Sequence, residues 1–502
     1  MPMVSKIISA IPMGYDGALV EIEGDMKKGL PGMQIVGMGN KTIEESKERV
    51  RSAITNSDLD FPSKKITINL APAELPKDGT GLDLPIALSV LMLNGQLRPV
   101  EVKDKLFAGE LALDGSIRSV RGIIHIVEAA KKAGIETVFI PAKNLAQAQL
   151  VKGINIIGAT DLRQLFLHLK GELAIQNDLK QPNKKSPTID PVILDHVCGQ
   201  NQAKRALTIA ISGRHNILLN GPPGVGKTML AKVAVNLLPE LSDEEKLSIT
   251  KIHSVAGITD DIIQQRPFQS PHHTASVVSI VGGGNKPKPG DISLANYGVL
   301  FLDELPEYPR SVLESLRQPL EDKAITVSRT NYKVRYPADF MLIATMNPCP
   351  CGHLGDPDKE CTCTTTQILN YQKRLSGPLL DRIDMVVTVS KIDNSTLSKY
   401  KATGDEQHQA AISSIDRALR QQTKRYGKPG VYNSGLSSKD ISTKLKLSSE
   451  AQRILTLASS KLNLSTRAYF KVIKVAQTIA DMDESPIVTD KHISEALQYR
   501  MK

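Results

Sequence analysis

The 502 residues hold no long apolar run. The longest notable uncharged stretch, Leu84 to Leu97 (LPIALSVLMLNGQL), is broken by Asn94-Gly95-Gln96 and is too short to span a bilayer. The opening residues, MPMVSKIISAIPMGYDG, lack an apolar segment of signal-peptide length. A cytosolic protein with no membrane partner is therefore expected. Cysteine is scarce, five in the whole chain, which argues against a disulfide scaffold. Repeats of fixed period and long low-complexity tracts are missing too. Acid is outweighed by base, 53 Asp and Glu against 63 Lys and Arg. The resulting net charge of +10 favours a polyanionic partner such as nucleic acid over an acidic surface role.

What remains is ordinary for a soluble globular chain, with 41% hydrophobic and 23% charged residues, enough for about three domains. Over 1–170, short apolar strands alternate with amphipathic helices. KKITINL (64–70) has a strand's two-residue period, LPIALSVLML reads as a buried helix, the helix in 117–134 ends at Gly134, and ETVFIPA (136–142) is a strand stopped by proline. This predicts an α+β domain. Residues 171–192, with Pro182, Lys184, Lys185, Pro187 and Pro191, form the best linker. Strands and helices alternate again over 193–390, and 391–502 is almost wholly helical.

HNILLN (215–220) is an apolar strand that runs into GPPGVGKT and then a helix. That is the strand–loop–helix setting a phosphate-binding loop requires. In the nucleotide-binding loop Gly221, Pro222, Pro223, Gly224, Val225 and Gly226, the three glycines let backbone N–H groups curl around phosphate oxygens. Lys227 brings a point charge to the β- and γ-phosphates of ATP, and the Thr228 hydroxyl can ligate Mg²⁺. GVLFLDEL (298–305) is a second buried strand ending in two carboxylates. Asp303 suits the Mg²⁺ shell and Glu304 the polarisation of an attacking water. DFMLIATMN (339–347) is a third, whose terminal Asn347 can orient that water.

In this chain order the three strands resemble the AAA+ ATPases. The resemblance gives two arginines a role. Arg382, in PLLDRID, matches the finger that reaches a neighbour's γ-phosphate, with Arg374 as the alternative. Arg467, at the start of the helix in LSTRAYFKVIKVAQTIADM, resembles a sensor 2 arginine. A finger acting in trans implies a ring, a homohexamer by resemblance. RPFQSPHHTASVVSIVGGGNKPKPGDISLANYGVLFLDELPE (266–307) narrows the match to magnesium-chelatase-like ATPases, here with a Lon-like front. Similar proteins of the competence group are cytosolic bacterial hexamers that move DNA branches during natural transformation. The resemblance thus implies single-stranded and branched DNA as partners, with a recombinase as a further one.

KAITVSRTNYKVRYPA (323–338) alternates like a hairpin turning near 329–331 and carries Lys323, Arg329, Lys333 and Arg335 but no acid. Such a hairpin could track a phosphate backbone, with Lys286 and Lys288 of GGGNKPKPG (282–290) beside it. The alternative is an edge hairpin guarded by its charges against aggregation.

Two segments need separate explanations. PKDGTGLD (76–83) matches the frame around the Lon nucleophile, but Gly81 stands at the serine position. Counting along GELALDGSIRSVRGIIHIVEAAKKAGIETVFIP (109–141) puts Ile126 at the lysine position. Glycine offers no nucleophile and isoleucine accepts no proton, so a scaffold rather than a protease is expected. NPCPCGHLGDPDKECTCTT (347–365) holds Cys349, Cys351, Cys361 and Cys363 in two C-x-C pairs nine residues apart. They could enclose a structural Zn²⁺, with His353 as a substitute ligand, or remain four reduced thiols.

The expectation is therefore an N-terminal Lon-protease-like α+β domain, an AAA+ P-loop α/β core and a C-terminal helical lid. Its leading function is an ATP-driven DNA branch-migration motor. A chelatase-type subunit remodelling a protein partner and a DNA-binding scaffold remain the alternatives.

Overall fold

The computed structural model describes every residue except 1–3, 38–40, 78–79, 178–191, 260, 285–286, 330–331, 357, 394–399, 401–403 and 501–502. Most of the expected linker, Asp78 and Gly79 of the protease frame, Lys286 and the tip of the basic hairpin fall outside the described residues. The chain packs into two compact units that cut across sequence order: Met1–Lys184 with Ser242–Gln264, and Lys185–Leu241 with Gln265–Lys502.

The first unit is built on a seven-stranded sheet. Its strands run Gly32–Val36, Lys65–Ala71, Asp16–Lys27, Ser5–Met13, Lys105–Phe107, Thr137–Pro141 and Asn155–Ala159. Pairings around Asp16–Lys27 are antiparallel and the others parallel. The period-2 pattern of Lys65–Ala71 turns Ile66, Ile68 and Leu70 fully inward. Helix Asp83–Leu93 is buried along its whole length, as an apolar run without a polar face requires. Its one acid, Asp83, is matched by Arg49 at 2.8 Å and by the Ser46 hydroxyl. Helix Ile123–Lys132 ends before Gly134, whose positive φ of 73° closes it.

Helix Asp243–Ala256 joins this unit, although the nucleotide-binding segments flank it in the chain. Ser242 and Glu245 form its capping box. Lys251 pairs with Glu128 at 2.5 Å and lies 4.0 Å above the Tyr15 ring. Ser254 accepts from the Gly122 N–H at 3.1 Å, and Ser248 bonds Tyr15 at 3.0 Å.

The second unit carries a five-stranded parallel sheet in the order Phe268–Gln269, Val299–Leu302, Met341–Met346, Ile217–Asn220, Met385–Thr388. Its central strands are buried residue by residue, as expected of a parallel sheet covered on both faces. Helices Glu406–Tyr426, Ser449–Lys461, Thr466–Met482 and Asp490–Gln498 share one core with this sheet. A polar bolt joins them. His215 bonds Thr478 at 2.8 Å, Asn433 donates to Thr478 and Asp481 at 2.9 Å each, and Arg425 pairs with Asp481. These linked bonds run from the sheet to the helices and fix one against the other.

Candidate nucleotide site

A parallel sheet gathers the carboxyl ends of its strands on one edge, where the topology leaves room for a ligand. Ile217–Asn220 leads there into the glycine loop and helix Lys227–Leu237. Gly224 and Gly226 adopt φ of 80° and 91°, left-handed conformations that let the loop double back. Lys227 is almost fully buried. Its Nζ donates to the Gly221 carbonyl at 2.5 Å, the Pro222 carbonyl at 2.9 Å and Asn347 Oδ1 at 3.0 Å. Burial pushes its pKa down, while Asp303 and Glu304 pull it back up.

Strand Met341–Met346 lies between Ile217–Asn220 and Val299–Leu302, so Asn347, Lys227 and Asp303 converge. Thr228 Oγ1 donates to Asp303 Oδ2 at 3.2 Å. The Thr345 hydroxyl donates to Asp303 Oδ1 and accepts the Glu304 N–H at 2.9 Å. Glu304 itself sits at φ 52°, an uncommon conformation for a side-chain-bearing residue, with its carboxylate exposed. Thr345 is a site residue that motif reading missed. Its only signal was a hydroxyl in an otherwise apolar buried strand. The donor set fits Mg²⁺ with a triphosphate: one hydroxyl and one carboxylate within bonding reach of each other, and a lysine over the loop.

The two arginines lie elsewhere in the same unit. Arg382 follows the short helix Gly377–Leu380, donates to the Pro378 carbonyl at 2.6 Å and pairs with Glu321. Arg467 opens helix Thr466–Met482 and stands 3.9 Å from Asp381. Both line one cavity of about 700 Å³ together with Arg214, Lys323, Lys471 and Lys474, and no residue of the glycine loop borders it. Arg374 is held by Glu307 at 2.9 Å and the Pro306 carbonyl at 3.2 Å.

The basic hairpin is formed by Ala324–Arg329 and Tyr332–Pro337. Ile325, Val327 and Tyr336 face inward, while Lys333 and Arg335 are exposed, with Ser328 and Thr326 opposite them in register. Tyr336 donates to the Pro287 carbonyl at 2.7 Å, which brings the exposed Lys288 beside the hairpin. Lys323 lies at the base and pairs with Asp339 at 3.2 Å.

The cysteines cluster. Cys349, Cys351 and Cys361 have sulfurs 3.4–3.6 Å apart, and Cys363 brings all four within 4.8 Å of one another. The backbone N–H of His353 holds the Cys351 thiol down to about 5. The His353 ring turns to Asp356 at 3.1 Å and is not one of the cluster.

In the first unit, Gly81 precedes helix Asp83–Leu93 with its carbonyl taken by the Gly109 N–H at 2.9 Å, and Ile126 is buried in the apolar core. Ser89 is buried against Ser5 at 2.7 Å and Lys77 donates to the Pro72 carbonyl, so these two form no dyad with each other.

The chain is similar to known proteins over nearly its whole length. A family model described as magnesium chelatase, subunit ChlI, matches residues 193–397. Subunit ChlI of Mg-chelatase matches 22–144, and the ChlI C-terminal model matches 405–500. The chain is 41% identical over 499 residues to competence protein ComM of Haemophilus influenzae, covering 98% of this chain and 97% of that protein. It is 43% identical over 499 residues to the uncharacterized protein YifB of Escherichia coli, covering 99% and 97%. A Lon protease of Leptospira interrogans is 28% identical over 214 residues, which is 38% of this chain and 25% of that protein.

Proposed function

The chain belongs to the magnesium-chelatase-like AAA+ family that includes ComM and YifB, and on that premise we propose that it is a ring-forming ATPase driving DNA branch migration. The observation that carries the reading is the convergence of Lys227, Thr228, Asp303 and Asn347 at the carboxyl edge of one parallel sheet. Its cofactors are ATP and Mg²⁺, with Zn²⁺ in the four-cysteine cluster. The bound metal–nucleotide supplies the phosphoryl group and the charge that draws electron density from it. Lys227 exchanges its loop carbonyls for phosphate oxygens. Thr228 and Asp303 would hold the metal, with Asp303 aimed by Thr345. Glu304 polarises the attacking water and Asn347 orients it.

Arg382 and Arg467 share one cavity away from the glycine loop, which supports a joint action on a neighbour's nucleotide. A homohexamer closes such a head-to-tail contact into a ring. The exposed Lys333 and Arg335, with Arg329, Lys288 and Lys286, then serve as sequence-independent contacts to single-stranded and branched DNA. One relative bears the name competence protein, and by analogy we assign this chain the same setting, natural transformation, with a recombinase as a partner. The N-terminal unit acts as a scaffold without protease chemistry.

The test is the ATPase rate of the purified chain with and without a four-way DNA junction. Stimulation by the junction supports the motor. A rate indifferent to DNA but raised by a protein partner favours a chelatase-type remodelling subunit.

A further inference from the structure

The four-cysteine loop is tied to the nucleotide site at two points of its first turn, Asn347 and Gly352, which gives the metal more to do than hold a loop. Residues 347–363 contain no helix or strand among the described residues, and the backbone bonds within them are turns, Gly352 N–H to the Cys349 carbonyl and Asp356 N–H to the His353 carbonyl, each 3.0 Å. Among the described residues those two turns are all the backbone bonding within the loop. The sulfurs do converge. Separations of 3.4–3.6 Å are far beyond the roughly 2.05 Å of a disulfide. They are close to the ~3.8 Å edge of a tetrahedron with metal–sulfur bonds of about 2.3 Å.

The loop begins two residues after Asn347, whose Oδ1 accepts from Lys227. Cys351 is followed by Gly352, at φ 83°, and here glycine is required twice over. The left-handed backbone disfavours a side chain. A Cβ would also lie 2.7 Å from Pro223 Cδ and 3.3 Å from its Cγ, with Asn347 Cγ 4.0 Å away. Pro223 belongs to the glycine loop. One turn of the cysteine loop is thus wedged between the phosphate loop and the strand-end asparagine.

We infer that Zn²⁺ bound by Cys349, Cys351, Cys361 and Cys363 positions the hydrolytic site, by seating Gly352 against Pro223 and Asn347 against Lys227. This rests on the ATPase reading above. The four cysteines bind as thiolates, any thiol still protonated releasing its proton to solvent, and no electron changes hands. They are positioning residues: none touches nucleotide, and their effect passes through Pro223 and Asn347. The expected signature is a loss of turnover larger than the loss of nucleotide binding, because Asn347 acts on the water rather than on the bound phosphates.

The experiment uses the full chain. Elemental analysis should find one zinc per chain, and Co²⁺ reconstitution should give the absorption of a tetrahedral thiolate site. Cys361→Ser/Cys363→Ser should lose the metal and drop kcat about tenfold or more, with affinity for a fluorescent ATP analogue changed less than about threefold. Gly352→Ala should keep the zinc and lose kcat alike, a result that misfolding of the cysteine loop would not give. Zinc well under one per chain overturns the inference. So does a zinc-free variant with wild-type kcat, or Gly352→Ala with wild-type kcat. Failure of the ATPase reading looks different: zinc-replete wild-type chain then hydrolyses no ATP, and the inference falls with it.

Discussion

Lys227 Nζ donates to Asn347 Oδ1 at 3.0 Å, joining the phosphate loop to the tip of the neighbouring strand. The contact spans 120 residues of sequence and exists because Met341–Met346 lies beside Ile217–Asn220 in the sheet. It gives the two residues separable roles. Lys227→Ala should abolish nucleotide binding and hydrolysis together. Asn347→Ala should keep binding and lower kcat by about 10²-fold, the scale of one positioned donor or acceptor in a transition state. Steady-state kinetics with a parallel binding titration checks both.

Thr345 is the hinge between Asp303 and Glu304. Thr345→Val keeps the shape and removes the hydroxyl, stranding the Glu304 N–H and one Asp303 oxygen. At about 1–3 kcal/mol for such unpaired groups, kcat should fall roughly tenfold to a hundredfold. Thr345→Ser should recover most of it, and a Val variant with wild-type kcat would remove Thr345 from the site.

Lys333 and Arg335 stand exposed on one face of their hairpin. Lys333→Ala/Arg335→Ala should weaken junction binding across sequences and flatten its salt dependence. With a slope near −0.9 per duplex phosphate neutralised, the loss should be about 2 or more in log–log slope. Basal ATP hydrolysis without DNA should stay unchanged. Unaltered affinity and slope would return the hairpin to the role of a charge-protected edge.

His125 lies buried in the first unit with neither ring nitrogen hydrogen-bonded, beside Tyr15. Burial first, and Lys251 second, push its pKa from 6.5 down to about 3. The folded state then binds fewer protons than the unfolded one between these values, so its stability falls as pH drops below 6.5. At about 1.36 kcal/mol per unit, the full span amounts to roughly 4–5 kcal/mol. Melting temperatures from pH 7 to 4 should decline less steeply for His125→Gln than for wild type. Parallel slopes would contradict the assignment.

How much of this was legible beforehand follows from how local each signal is. The glycine loop, the Asp303-Glu304 strand end and Asn347 each sit in a contiguous apolar-strand-plus-tip pattern, so their residue types could be read directly. The C-x-C pairs carried their own spacing. Thr345 had no such pattern, since a buried hydroxyl is informative only once its strand is placed against Asp303. The pairing of Arg382 with Arg467 in one cavity joins residues 85 apart through tertiary packing alone. Helix Asp243–Ala256 was hidden for the same reason. It sits inside the nucleotide-binding stretch of the chain, yet Lys251, Ser248 and Ser254 bond to the first unit.

The central claim is that neighbouring chains complete each other's sites, and mixing two inactive variants tests it most directly. Arg382→Ala keeps an intact pocket but cannot serve its neighbour. Glu304→Gln binds nucleotide without hydrolysing it and still offers Arg382. Each alone should be nearly inert. Equal mixtures should regain about a quarter of wild-type ATPase, the share of random head-to-tail contacts that join one intact pocket to one intact finger. Mixtures no more active than the separate variants, or an Arg382→Ala chain that hydrolyses ATP at the wild-type rate, would contradict the account.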